Sequence, residues 1–179
     1  MSIEAIVSLA AAWKARSPAL MAFGGDSGIE FLSAIVVLRR FRMSADAEAA
    51  ETRAARTAGV LLCMLSVYVM AVSALSLLGY SEVKPSWVGF AILIAAAVGM
   101  PWLAREKRVL SAATGSASLR ADSAQSAACA YLASIALIGL ACNAIWSIRW
   151  ADPAAALIAT PFIIREGWEA LHGRACECR

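Results

Sequence analysis

Charged residues in this chain gather into a few short clusters, and between the clusters run almost uncharged apolar stretches. A bilayer core about 30 Å thick is crossed by roughly 20 residues of apolar helix. In such surroundings only a helix or a closed barrel satisfies the backbone polar groups. Four stretches have the length: residues 18–38, 57–79, 86–104 and 121–148. The sixth, 154–164, is short, but it extends through residue 168 if Arg165 snorkels toward the headgroups. The first, 3–13, ends at Lys14 and Arg16 and is long enough only for a half-span unless it tilts. Composition agrees, because 61% hydrophobic and 16% charged residues depart from the roughly one half and one quarter of a soluble domain. The expected fold is all-α: a polytopic membrane bundle of about six transmembrane helices with a short first one. One membrane domain over residues 1–171 and a cytoplasmic Cys-containing tail over 172–179 account for the chain.

The connections alternate between richly and sparsely basic and so set an orientation. The connection over residues 39–56 carries five arginines, and the connection over 105–120 carries Arg105, Lys107, Arg108 and Arg120. By the positive-inside rule these lie in the cytoplasm, with both termini, as expected of a multi-pass protein of the cell membrane, inner or plasma. The Ala, Glu and Arg rich segment 45–55 is expected to be a short helical extension. A formal charge of +3 gives no reason to expect a nucleic-acid partner, so the partner surface is the lipid bilayer. Five cysteines, three of them inside apolar stretches, make no disulfide framework and are expected to be reduced. No cleavable signal peptide is expected.

Asp26 and Glu30 stand four residues apart inside an apolar stretch, which places both carboxylates on one helix face. One such group costs about 2.5 to 3.5 kcal/mol at the bilayer centre, and two on one face repel each other. No Lys, Arg or His falls inside any expected span to offset them. A divalent cation suits a pair of hard carboxylate oxygens. The competing reading makes one carboxylate an interfacial helix cap behind Gly24 and Gly25. A second polar stripe, Asp122, Gln125, Ser126 and Cys129, follows helical spacing along another stretch. It could complete a coordination shell, or it could cap the helix at Asp122 and permit close packing. Cys63 and Cys142 are expected to be buried small hydrophobes, and Arg165, Glu166 and Glu169 to pair among themselves at one helix end.

Three motifs carry a resemblance: Asp26-Ser27 with Glu30 in the second stretch, Ala121-Asp122 with Gln125 and Cys129 in the fifth, and Ala151-Asp152-Pro153 before the sixth. Together they resemble the membrane domain of the cation diffusion facilitator family, in the short form that consists of that domain alone. The resemblance implies a transporter with no prosthetic group, exporting Zn²⁺ or a related divalent cation such as Cd²⁺ in exchange for protons. It also implies a homodimer. Its metal ligands would be Asp26, Glu30, Gln125 and Cys129, with Asp122 an auxiliary ligand nearer the cytoplasm. Two positions depart from the family pattern: Gln125 stands where a His is usual and Cys129 where an Asp is usual. The alternative is a non-transporting membrane metal sensor or accessory protein that uses His172, Cys176 and Cys178 of the tail. An enzyme is not expected, since no Ser-His-Asp, zinc-protease, P-loop or dinucleotide motif occurs.

Overall fold

The computed structural model describes residues 2–40, 47–80, 82–84, 86–114 and 117–172. These form six helices: α1 (Ser2–Ala15), α2 (Pro18–Arg40), α3 (Ala47–Leu77), α4 (Trp87–Thr114), α5 (Ala117–Trp146) and α6 (Ala151–Leu171). The 14 residues of α1 cover about 21 Å at 1.5 Å per residue, short of a bilayer core. Both α3 and α4, at 31 and 28 residues, reach past 40 Å and run beyond it. The helical extension anticipated around residues 45–55 is the first part of α3 from Ala47 onward. The connection anticipated over residues 105–120 is mostly helix, because α4 continues to Thr114 and α5 begins at Ala117. Hydropathy marks where the apolar part ends, whereas Ala, Glu, Lys and Arg are good helix formers that carry the helix onward.

Three helices end in similar ways. Arg16 (φ 52), Gly79 (φ 86) and Ser147 (φ 55) adopt left-handed backbone directly after or near the ends of α1, α3 and α5. The amides of Ser17 and Tyr80 then reach back five residues to the carbonyls of Ala12 and Leu75, and that of Ile148 reaches back six, to Cys142. The five-residue bond of α1 and α3 is that of the Schellman ending, which satisfies carbonyls the helix leaves open and turns the chain sharply. After the first such turn the chain starts α2 at once. The Ser17 hydroxyl accepts the amide of Leu20 at 3.1 Å, with Pro18 in the first helical position. Asp152 of α6 is 0% exposed and fixes this cap. The Ser17 hydroxyl donates to its Oδ1 at 2.7 Å and the Ala19 amide to its Oδ2 at 3.4 Å. The first turns of α2 and α6 are thereby joined, so the two helices start side by side.

Among the described residues three stretches are long and apolar enough to cross a membrane by themselves: Arg56–Leu77, Trp87–Leu110 and Gln125–Trp146. On α3 and α4 large apolar side chains such as Met64, Val67, Val98 and Trp102 face outward, as a lipid solvent allows. The second and sixth helices also turn polar side chains inward, among them Asp26, Ser27, Glu30, Asp152 and Thr160. Packing is most extensive within the pairs α4 with α5, α3 with α6 and α1 with α2, and sparse between α2 and α5. The α3 and α6 backbones approach closely where two glycines face each other. A Cβ added to Gly59 would lie 2.7 Å from the Gly167 carbonyl oxygen. Cys63, Cys129 and Cys142 are free. Only Cys129 is buried, whereas Cys63 and Cys142 are half-buried, because they lie toward the outer edge of their helices. Cys63 lines an open apolar groove of about 450 Å³ with Val60, Met64, Val67, Tyr68 and Leu171.

Candidate metal centre

The inward face of α2 is built from the i, i+4 spacing that puts Asp26 and Glu30 one turn apart. Asp26 lies well inside α2, which starts at Pro18, so it does not cap that helix. Both carboxylates are buried, Asp26 to 1% exposure. From α5 the Cys129 thiol, itself 0% exposed, reaches across to Glu30 and donates toward both carboxylate oxygens at 3.2 Å. Asp26, Glu30 and Cys129 each offer one ligand atom, and these atoms lie within 4.8 Å of one another. The Oδ1 of Asp26 and the hydroxyl of the adjacent Ser27 are buried without a hydrogen-bond partner. Native proteins rarely leave buried polar atoms in that state, and each one calls for an explanation.

Gln125, one turn before Cys129, is half-buried and is near enough for its amide to act on the Glu30 carboxylate. Ser126, next along the helix, is turned aside. It is buried and accepts a hydrogen bond from the Lys107 ammonium of α4 at 3.0 Å. The polar stripe therefore divides, with Gln125 and Cys129 facing α2 and Ser126 facing α4. The side chain of Asp122 lies outside the described residues, as do Cys176 and Cys178 of the tail. Among the described residues the cluster thus holds three of the anticipated ligands and a fourth, Gln125, at its rim.

Two features of the site were not anticipated. Lys107 comes from the helical continuation of α4, in a segment that hydropathy assigns to a connection. Glu166 was expected to pair with its neighbours, but that pairing belongs to Arg165 and Glu169 at 2.8 Å on the outer face of α6. Glu166 instead faces inward, half-buried, where its charge acts on Asp26, Glu30 and Cys129. The signal was present in the spacing. Glu166 falls three residues after Ile163 and seven after Ala159, on the buried stripe of α6.

Depth along the bundle follows from contacts at the other end. Asp152 touches Ser17 and Ala19, so α2 and α6 share a starting level. A Cβ added to Gly139 of α5 would meet the Asp152 Cα at 3.2 Å, which puts Gly139 at that level too. Counting 1.5 Å per residue, Glu30 and Cys129 both lie about 15 to 17 Å from it, while Gln125 and Glu166 lie about 21 Å away. Three helices independently place the thiol and the Glu30 carboxylate in one layer and Gln125 with Glu166 in the next.

No curated protein matches the sequence significantly. A family model for the cation efflux transmembrane domain matches residues 1–172, nearly the whole of a 179-residue chain. A six-helix apolar bundle enclosing two carboxylates and a thiol agrees with that match, and the chain belongs to the cation efflux family of membrane cation transporters.

Proposed function

We propose that this protein exports Zn²⁺, or a softer divalent ion such as Cd²⁺, from the cytoplasm by proton-coupled alternating access, with Asp26, Glu30, Cys129 and Gln125 as its ligands. The observation that carries the reading is the meeting of three ligand atoms from two helices within 4.8 Å, all buried. A tetrahedral Zn²⁺ with bonds of about 2.1 Å to oxygen and about 2.3 Å to sulfur spaces those donors about 3.6 Å apart. The Cys129 sulfur and Glu30 oxygens stand at 3.2 Å and part by a few tenths of an ångström to admit the ion, while donors up to 4.8 Å apart close by as much as about 1 Å. Two carboxylates, one thiolate and one amide oxygen make a four-donor set of borderline softness, which favours Zn²⁺ and Cd²⁺ over Mg²⁺.

Proton exchange follows from the same pair of side chains. In the empty site the thiol proton is shared with Glu30. A cation binds the thiolate, so that proton leaves as the cation arrives, and its return helps release the ion on the far side. Gln125 has no proton to exchange at the position of the family His, so coupling falls to the acidic groups and the thiol. The arginine-rich connections support a cytoplasmic location for both termini in the inner or plasma membrane. Family resemblance extends the proposal to a homodimer, which the mass of the detergent-solubilised protein tests.

The function is tested by uptake of ⁶⁵Zn²⁺ and Cd²⁺ into proteoliposomes with an imposed pH gradient. Wild type is expected to accumulate the ion and Asp26→Ala to be inert. Uptake by Asp26→Ala at the wild-type rate would remove the buried cluster from the mechanism. A metal sensor or accessory protein would bind the ion but give no gradient-dependent uptake.

A further inference from the structure

We propose that Glu166 of α6 is a further cation ligand: it takes a divalent cation about one helical turn beyond Glu30 and Cys129 and hands it on to them and to Asp26. This rests on the transport reading and names a residue that neither the motifs nor the resemblance assigns.

Four observations lead to it. First, α6 presents Glu166 inward on the same stripe as Ala159 and Ile163, while Arg165 and Glu169 bond to each other on the more exposed flank of the helix. Among the described residues Glu166 makes no hydrogen bond or ion pair, so no basic side chain there neutralises it. Second, its charge acts on Asp26, Glu30 and Cys129 alike, which puts it within electrostatic reach of the whole cluster. Glu4 of α1 also acts on Glu30, but it has an interaction of its own. Third, the helical register puts Glu166 in the layer of Gln125, about 5 Å beyond Glu30, in the direction in which α2 and α6 run toward their ends. Fourth, the buried Oδ1 of Asp26 has no partner, and the charge of Glu166 reaches Asp26 as it does Glu30.

Several carboxylates with no basic partner of their own, in surroundings that screen poorly, are stabilised by a shared cation. Lined up in depth they also concentrate cations from the aqueous side, an effect that raises local concentration by roughly 10-fold or more. Gln125 in the same layer supplies a neutral oxygen. The ion can therefore exchange ligands one at a time between Glu166 with Gln125 and the thiol with Glu30, never losing all its donors at once. No covalent step is involved.

The test compares Glu166→Gln, Glu166→Asp and Glu169→Gln in full-length protein. Initial rates of Zn²⁺ and Cd²⁺ uptake into proteoliposomes and calorimetric Cd²⁺ binding to the detergent-solubilised protein are measured. The expected result is a KM raised about 10-fold for Glu166→Gln with little change in maximal rate. Most of the loss should be recovered in Glu166→Asp, and Glu169→Gln should match wild type. A KM for Glu166→Gln within twofold of wild type overturns the assignment, as does equal impairment of the Gln and Asp variants, which would mark a packing role. Asp26→Ala, run alongside, separates the two ideas. If it is inert while Glu166→Gln behaves as wild type, only the Glu166 assignment fails. If wild type does not transport, Cd²⁺ binding decides, with about 10-fold weaker binding to Glu166→Gln in support and equal binding against.

Discussion

Asp152 offers the sharpest separation between a structural carboxylate and a ligand in this bundle. Its two oxygens receive the Ser17 hydroxyl at 2.7 Å and the Ala19 amide at 3.4 Å, and it lies about 15 Å along the helices from Glu30 and Cys129. Removing it with Asp152→Ala leaves a buried amide at the start of α2 without its acceptor. A hydrogen bond to a charged group contributes about 1.5 to 3 kcal/mol, and the long one to Ala19 lies at or below the bottom of that range. Interhelical hydrogen bonds in membranes tend toward smaller values, so the expected loss is about 2 to 3 kcal/mol. Asp152→Asn keeps a carbonyl for Ser17 and is cheaper to bury, which offsets the donor now facing Ala19. Its loss should stay within about 1 kcal/mol. The assay is equilibrium unfolding in mixed detergent micelles, followed by helical circular dichroism, with Cd²⁺ affinity measured on the folded fraction. Affinity should be unchanged in both variants. Equal losses for Ala and Asn would refute the hydrogen-bond argument. A large fall in Cd²⁺ affinity with stability intact would make Asp152 a ligand.

Two further outcomes concern the cluster and its scaffold. Cys129→Asp replaces the soft donor by a hard one and should move the uptake ratio from Cd²⁺ toward Zn²⁺; an unchanged ratio in competition assays would take Cys129 out of the coordination shell. Gly167→Leu should destabilise the bundle by more than about 3 kcal/mol in the same unfolding assay, because a Cβ there already lies 3.1 Å from the Gly59 carbonyl oxygen. Wild-type stability in that variant would show that the α3 and α6 contact can spread without cost.

What could be read from the sequence, and what could not, divides along physical lines. Helical periodicity is local, so the shared face of Asp26 and Glu30 and the alignment of Gln125 with Cys129 were legible from spacing alone. That these two faces meet is a long-range fact. It was reached through the family resemblance, and the structure shows it in the Cys129 to Glu30 contact. The six helices in their order were legible because apolar length is a property of composition, and the shortness of α1 with them. Rotation of each helix about its axis was not. In a lipid solvent the outer face is as apolar as the core, so α6 carries little contrast to tell inside from outside. Glu166, flanked by Arg165 and Glu169, therefore read as one member of a surface charge group. Lys107 was missed for a different reason, since it lies where good helix formers continue α4 past its apolar part. Asp152 was noticed as part of a motif, but its bond to Ser17 joins residues 135 positions apart, beyond the reach of any local pattern.

The sparse packing between α2 and α5 has a mechanical consequence. The sulfur belongs to the closely packed α4 and α5 couple, whereas both carboxylates belong to α2, which is fastened to α1 and pinned to the start of α6. If the two assemblies rock against each other, this thinly packed seam opens, and it runs between the carboxylates and the thiol. Unlatching a gateway and loosening the grip on the cargo would then be one movement, so the protein could not swing open while still holding its ion at full strength.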